Sequence, residues 1–199
     1  MNLAAIASDE NTGQSLKELV PSLDEALLKL SPAAAIVLDV RFNEGGQDAV
    51  ALAFANRFAD QKRAAYKKQA CFGDRAMKLE TQYMEPQGDS YKQQPIILLT
   101  SILTESAAET FVQSMRQLPN VKIAGERTAG FFSDALTRLL PNGESFTLSN
   151  ERYYTMDGVL LEGNGIVPDV EIPIQLSSVD KGIDPALEWV LQDVSKQVR

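Results

Sequence analysis

Apolar residues recur at three- and four-residue spacing through Leu16, Leu19, Val20, Leu23, Ala26, Leu27 and Leu30. This predicts an amphipathic helix over about residues 15–30, restarting at Pro21. The period then changes. Residues 34–40 are apolar throughout except for Asp39 and read as a buried strand. The turn cluster Arg41-Phe42-Asn43-Glu44-Gly45-Gly46 follows, leading into a helix over 47–59 with Val50, Phe54 and Phe58 on one face. A second β-turn-α unit repeats the arrangement. Pro95–Thr100 is an apolar strand and Ser101–Glu105 a loop, while Ala107, Ala108, Phe111, Val112, Met115 and Leu118 share a helix face. Val121–Ala124 supplies the next short strand.

Between these units, residues 61–94 carry little periodicity, although Tyr66–Phe72 and Met77–Met84 read as strands near a sheet edge. From Thr137 to Ile174 the pattern alternates, with turn signals at Asn142-Gly143 and Asp157-Gly158, the second between Tyr153-Tyr154 and Val159–Leu161. A final helix is capped by Asp184, with Pro185 in its first turn and Leu187, Val190, Leu191, Val194 and Val198 on one face. The whole reads as a single α/β domain with a mixed sheet.

Composition narrows the function. The 199 residues are 44% hydrophobic and 23% charged, enough for one real core. A net charge of -8 and a pI near 4.7 oppose binding to nucleic acid or an anionic membrane surface. No apolar run approaches the roughly 20 residues needed to insert into a bilayer. The start, MNLAAIASDENTG, lacks the basic residues and sustained apolar stretch of a secretory signal, which leaves the compartment open. Cys71, the only cysteine, excludes an internal disulfide and a Cys-rich metal cluster, and its neighbours Ala70 and Phe72 suit a buried thiol. Histidine is absent. No Ser-His-Asp triad therefore exists within these residues, and the commonest zinc ligand is missing.

Three segments carry candidate chemistry. Gly45-Gly46 lets the backbone approach a ligand where a strand meets a helix, whose free N–H groups stabilise developing negative charge; the ordinary reading is a tight βα turn. Ser106 stands where a loop becomes a helix, a place that favours an oxyanion. With Glu109 it also spells a capping box, the commoner meaning of Ser-x-x-Glu. Glu162 precedes the glycine-rich turn Gly163-Asn164-Gly165 and a proline stop, and a lone loop glutamate is usually solvated.

Taken in order, these segments resemble the landmarks of the tail-specific (C-terminal processing) serine protease family from about residue 12 onward. The Asp39–Gly46 segment is similar to its D-L-R-x-N-x-G-G, and the Ser106 segment to its T-A-S-A-[SA]-E. Gly125–Gly130 is similar to G-x-x-T-x-G, and Leu140–Gly143 to L-P-x-G. Tyr153–Gly158 and Glu162–Asp169 are similar to Y-x-T-x-D-G and E-G-x-G-I-x-P-D.

The resemblance implies a crotonase-like (Clp-like) core of stacked βα units closed by a C-terminal helix. It also implies peptide-bond hydrolysis through an acyl-enzyme on Ser106, with no metal or organic cofactor. Gly45 or Gly46 and Ala107 would donate N–H groups to the oxyanion, and Glu162 would orient the base. The partner implied is a polypeptide substrate; homo-oligomerisation stays open. The location implied is extracytoplasmic, in a bacterial periplasm or envelope.

Two departures matter. The lysine that serves as base in the bacterial processing branch falls here on Phe131. The histidine of the branch resembling tricorn core protease and the interphotoreceptor retinoid-binding protein repeats has no counterpart, although Glu162 fits that branch's glutamate. These departures lead to the expectation that the chain is the C-terminal part of a longer protein whose upstream segment carries the base, and that it is barely active alone. The alternatives are a non-catalytic member that binds a peptide or hydrophobic ligand and, more remotely, a crotonase-type acyl-thioester enzyme.

Overall fold

The computed structural model describes residues 12–88 and 94–197. Met1–Asn11 and Val198, about which the sequence raised expectations, lie outside them. Helix α1 (Thr12–Leu30) leads to strand β1 (Ile36–Asp39), and α2 (Asp48–Ala55) follows the glycine turn. Next come β2 (Arg63–Phe72), β3 (Arg75–Ala76), β4 (Glu80–Met84), β5 (Ile96–Thr100), α3 (Ala107–Met115) and β6 (Val121–Gly125). The remainder comprises β7 (Ala135–Leu139), β8 (Ser145–Ser149), β9 (Glu151–Tyr154), β10 (Val170–Glu171), α4 (Leu176–Val179) and α5 (Pro185–Gln197). Helix α1 does not restart at Pro21 but runs through it.

Strands β1, β5, β6 and β10 form a parallel sheet in the order β1-β5-β6-β10, with Leu38 opposite Leu98 and Leu98 opposite Ile123. Side chains on a strand alternate between faces. Ile96 and Leu98 accordingly join Phe54, Phe58, Phe111 and Met115 of the α2–α3 layer, with Leu27 of α1 in the same cluster. Ile97 and Leu99 point the other way, onto Ala186 and Val190 of α5. Cover on both faces explains why β5 is apolar without alternation.

The expected mixed sheet divides in two. Strands β3, β2 and β4 form a separate antiparallel sheet, with β9 also pairing to β2, so β2 is central rather than near an edge. Its Tyr66, with Met84 and Tyr153, joins the α2–α3 core. Tyr154 and Leu160 bridge around the Asp157-Gly158 turn as the hairpin signal predicts. Strands β7 and β8 make a hairpin whose residues are all exposed.

Two expectations fail on burial. Cys71 is only half-buried, because β3 and Phe72 at that end of β2 project beyond the core. Helix α5 buries Ala186 and Val190 and packs Trp189 and Val194 beside them, leaving Leu187 and Leu191 exposed.

Asp184 caps α5 through the Leu187 N–H (3.0 Å) and grips the Arg41 guanidinium with both oxygens (2.9 and 2.8 Å). Arg41 also binds Asp39 on its own turn. Hydrogen bonding to Arg41 holds the Asp184 carboxyl below its ordinary range. A lowered folded-state pKa gives stability that is present above the unfolded value and lost as pH falls through the folded one. Asp184→Asn keeps a good cap but removes the charge. It is expected to lower Tm at neutral pH by several degrees, at about 2–4 °C per kcal/mol, and the difference from wild type should shrink on acidification. Calorimetry across pH checks this.

Candidate active site

The sheet brings its two βα turns side by side. Parallel pairing of β1 with β5 sets the Val40–Gly46 turn against the Ser101–Ser106 loop, and polar groups stitch them together. The Thr104 hydroxyl donates to the Val40 carbonyl (2.8 Å), and the Ser101 hydroxyl donates to the Arg41 carbonyl. Asn43, buried in the seam, accepts the Glu105 N–H on its carbonyl (3.0 Å) and the Gly45 N–H on Oδ1 (2.9 Å).

Gly45 has φ +97°, and a Cβ there would stand 2.6 Å from the Glu105 oxygen and the Ser106 Cβ, and 2.8 Å from the Ala107 nitrogen. Only glycine permits so close an approach. The structure thus brings Gly45, Ser106 and Ala107 into direct contact. The Gly45 N–H is already taken by Asn43, whereas the Gly46 and Ala107 N–H groups meet no protein acceptor among the described residues.

Ser106 is the one non-glycine residue with positive φ among those described (φ 53°, ψ -125°). Such a conformation costs about 1–3 kcal/mol and persists where surrounding contacts impose it. Those contacts are visible. The Ser106 N–H donates to the Phe131 carbonyl (3.0 Å) and to Glu109 Oε2 (3.2 Å), the return half of the expected capping box. The outward half is present too, with the Ser106 side chain facing the Glu109 N–H, which also bonds the Ser106 carbonyl (2.8 Å).

Glu109 does more than the capping box suggests. Completely buried, its carboxylate also accepts the Thr128 hydroxyl (2.5 Å) and the N–H groups of Gly130 and Phe131 (both 2.8 Å). Burial raises its pKa, against the opposing pull of these hydrogen bonds. The Thr128 hydroxyl in turn accepts the Ile166 N–H (2.7 Å), and Gly165 lies so close that a Cβ would fall 2.3 Å from the Thr128 carbonyl oxygen.

Glu162 Oε2 accepts the N–H groups of Phe132 (2.9 Å) and Ser133 (2.8 Å). Two carboxylates therefore pin the segment 130–133, Glu109 at one end and Glu162 at the other. Ser106 hangs from the carbonyl between them. Glu162 and Ser106 border the same segment without a hydrogen bond to each other. The signal for Glu109 and Thr128 lay in the motifs, but only long-range folding shows that one holds the other.

Beyond Ser133 lies a charged cluster that sequence reading missed. Lys68 pairs with Glu151 (2.7 Å), Asp134 (3.0 Å) and Asp48 (3.3 Å), and the Tyr153 hydroxyl donates to Asp48 (2.8 Å). Burial disfavours the ammonium, but the three carboxylates outweigh it and raise the Lys68 pKa. This lysine is held as a cation and is no proton acceptor at neutral pH.

A raised Glu109 pKa means stability that is greatest below the ordinary glutamate range and lost as pH rises through the raised value. Glu109→Gln leaves buried N–H donors without an acceptor and is expected to cost about 1–3 kcal/mol. The deficit should be larger at about pH 4 than at about pH 8, because only the wild type titrates there. Urea unfolding at both pH values checks the direction.

A serine held in a strained backbone at the start of a helix, against a glycine turn, is the framework of serine hydrolases that act on acyl groups. Residues 4–172 match the model of Peptidase family S41, and the chain belongs to that family. It is 25% identical over 170 residues to the carboxy-terminal processing protease CtpA of Bacillus subtilis, covering 85% of this chain and 35% of that one. The curated relatives it matches are much longer: the chain spans 27% to 35% of their length. Among solved structures, tricorn protease superposes at a TM-score of 0.61 with 24% identity, over 83% of this chain and 15% of that one. The photosystem II D1 C-terminal processing protease gives 0.61 with 22% identity, over 86% and 46%. These two likenesses concern the fold.

Proposed function

We propose that this chain is the catalytic core of a serine endopeptidase, with a crotonase-like arrangement of its βα units and Ser106 as nucleophile. The observation that carries the reading is the contact of Gly45 with Ser106 and Ala107, on a serine whose backbone is strained. Ser106 Oγ attacks the scissile carbonyl, forming an acyl-enzyme as the amine departs with a proton; water then releases the acid. The oxyanion is received by the Ala107 N–H and the Gly46 N–H, since that of Gly45 is engaged by Asn43. Glu109 and Glu162 act as positioning residues by fixing segment 130–133, and Glu162 is the group beside which a base would dock.

The base itself lies outside these 199 residues, in an upstream segment. They contain no histidine, Phe131 occupies the place of the family lysine, and Lys68 is locked by three carboxylates. Phe42, Ile102, Leu103 and Phe131 project into solvent from the three loops that meet at Ser106, an apolar rim suited to the exposed side chains of an unfolded polypeptide. An extracytoplasmic location belongs to the same reading.

The test compares this chain with a form extended by its upstream coding sequence, using an unfolded protein substrate and a serine-directed phosphonate. Expected are negligible hydrolysis by the chain alone, and turnover by the extended form with the phosphonate on Ser106. A label on another serine, or an extended form that binds substrate without cleaving it, overturns the reading.

A further inference from the structure

Helix α3 carries more than the nucleophile. Glu109 and Gln113 stand four residues apart and so share one helix face. Glu109 is spent on the segment 128–131, whereas Gln113, a turn further on, lines a pocket of about 390 Å³ with Met156, Val159, Leu161, Ile166 and Val167. That volume lies at the low end of the roughly 300–1,000 Å³ of small-ligand sites.

The side chain of Gln113 is the unusual member. It is 1% exposed, yet its Oε1 is buried and meets no donor among the described residues. Gln117, the nearest amide along the helix, donates to the Gln113 backbone carbonyl (3.3 Å) and not to its side chain. A buried acceptor without a donor is destabilising, and a ligand N–H that reaches it relieves the penalty.

The rest of the lining says what kind of ligand carries that N–H. Leu161 and Ile166 are buried, and Val159 and Val167 expose apolar surface beside them. The charged groups are engaged elsewhere: Arg116 donates to the Val167 carbonyl and lies 3.5 Å from Asp169, and Asp157 takes the Thr155 hydroxyl. What remains is one neutral acceptor set in apolar walls. This does not suit an anion, which needs donors. It suits a peptide unit, in which a backbone N–H stands next to an aliphatic side chain.

The pocket also shares a wall with the frame of Ser106. Ile166 donates its N–H to the Thr128 hydroxyl oxygen, Thr128 donates to Glu109, and Glu109 accepts the Ser106 N–H. Leu161 directly precedes Glu162, which holds segment 130–133 from the other end. Gln113 lies seven residues beyond Ser106, about 10 Å along the helix axis. We infer that this pocket is a second contact for the polypeptide substrate, away from the reacting bond: it takes an aliphatic residue against Leu161 and Ile166, with that residue's N–H on Gln113 Oε1. The choice of substrate as occupant rests on the protease reading; the chemistry of the pocket does not.

Binding measured on this chain, without catalysis, tests the inference. The probe is acetyl-alanyl-leucyl-alanine amide, and its control is the matched depsipeptide in which an ester oxygen replaces the leucyl N–H. Titration of the peptide should shift the amide signals of Ile166, Val167 and the Gln113 side chain saturably. The depsipeptide should bind wild type about fivefold or more weakly, and Gln113→Leu should bind the two probes equally. Casein, an unfolded protein, should displace the peptide. Equal binding of both probes to wild type overturns the inference, as do shifts centred on Gly46 and Ala107 that leave Ile166 and Val167 unmoved. Casein that leaves the peptide in place removes the substrate as occupant, and so does an upstream-extended form that no longer binds the peptide, since its own added segment would then fill the pocket. Failure of the protease reading is seen separately, as an absence of phosphonate labelling at Ser106.

Discussion

Ser106→Ala is expected to abolish hydrolysis by the extended, active form while leaving a folded protein. Two effects oppose each other in its stability. Loss of a helix cap costs about 0.5–2 kcal/mol, but the half of the capping box made by Glu109 to the residue-106 N–H survives the change, so the cost should fall at the low end. Neither outcome changes the strained backbone, which alanine tolerates no better than serine. The rate behaves differently, because removing the nucleophile removes the acyl-enzyme itself, and single triad residues are worth about 10⁴–10⁶ in kcat. Ser106→Thr sharpens the contrast: threonine can still cap, yet its extra methyl group would enter the crowded space against Gly45. A folded threonine variant with collapsed turnover separates nucleophile from cap. Normal turnover and phosphonate labelling in Ser106→Ala would remove Ser106 from the mechanism.

Gly45→Ala should cost the protein a large share of its stability. At φ +97° a side chain is strained, and the new Cβ would meet the Glu105 carbonyl and Ser106 Cβ at 2.6 Å, both held by neighbours that cannot swing aside. Strain and overpacking together cost about 2–5 kcal/mol, a large share of a typical domain's 5–15 kcal/mol. Melting should fall by roughly 5–20 °C. Any variant that remains folded has pushed the glycine turn and the α3 start apart, so it should lose phosphonate labelling in the extended form as well. A variant with unchanged melting and labelling would mean that the two turns are not in contact in solution.

Much of this architecture is legible in local pattern. Strand β5 announces itself as an unbroken apolar run because both its faces are covered, whereas β1 leaves Val37 and Asp39 exposed, and Val50, Phe54 and Phe111 mark their helices because one face is buried. Pairing is not local, and this is where sequence reading stops. Nothing in Arg63–Phe72 states that β2 will take partners on both sides and leave the parallel sheet altogether. On α5, Leu187 and Leu191 look as apolar as Val190, and only the position of β5 and β6 selects Ala186 and Trp189 instead. The candidate site divides in the same way. Ser106, Gly45 and Glu162 stand in recognisable segments, but that Glu109 holds Thr128 and Gly130, and that Lys68 is caged by Asp48, Asp134 and Glu151, depends on contacts across the chain.

The latch between Arg41 and Asp184 bears on how the molecule is made. A ribosome delivers the glycine turn first, then Ser106, and Asp184 only later. Between the serine and the latch lie roughly 80 residues, several seconds of synthesis at about 5–20 residues per second. During that interval the nascent chain has its serine but neither Glu162 nor the grip that ties the Arg41 turn to α5. The site is assembled only once Asp184 and α5 have emerged, so a product stalled before them carries the nucleophile in an unfinished frame.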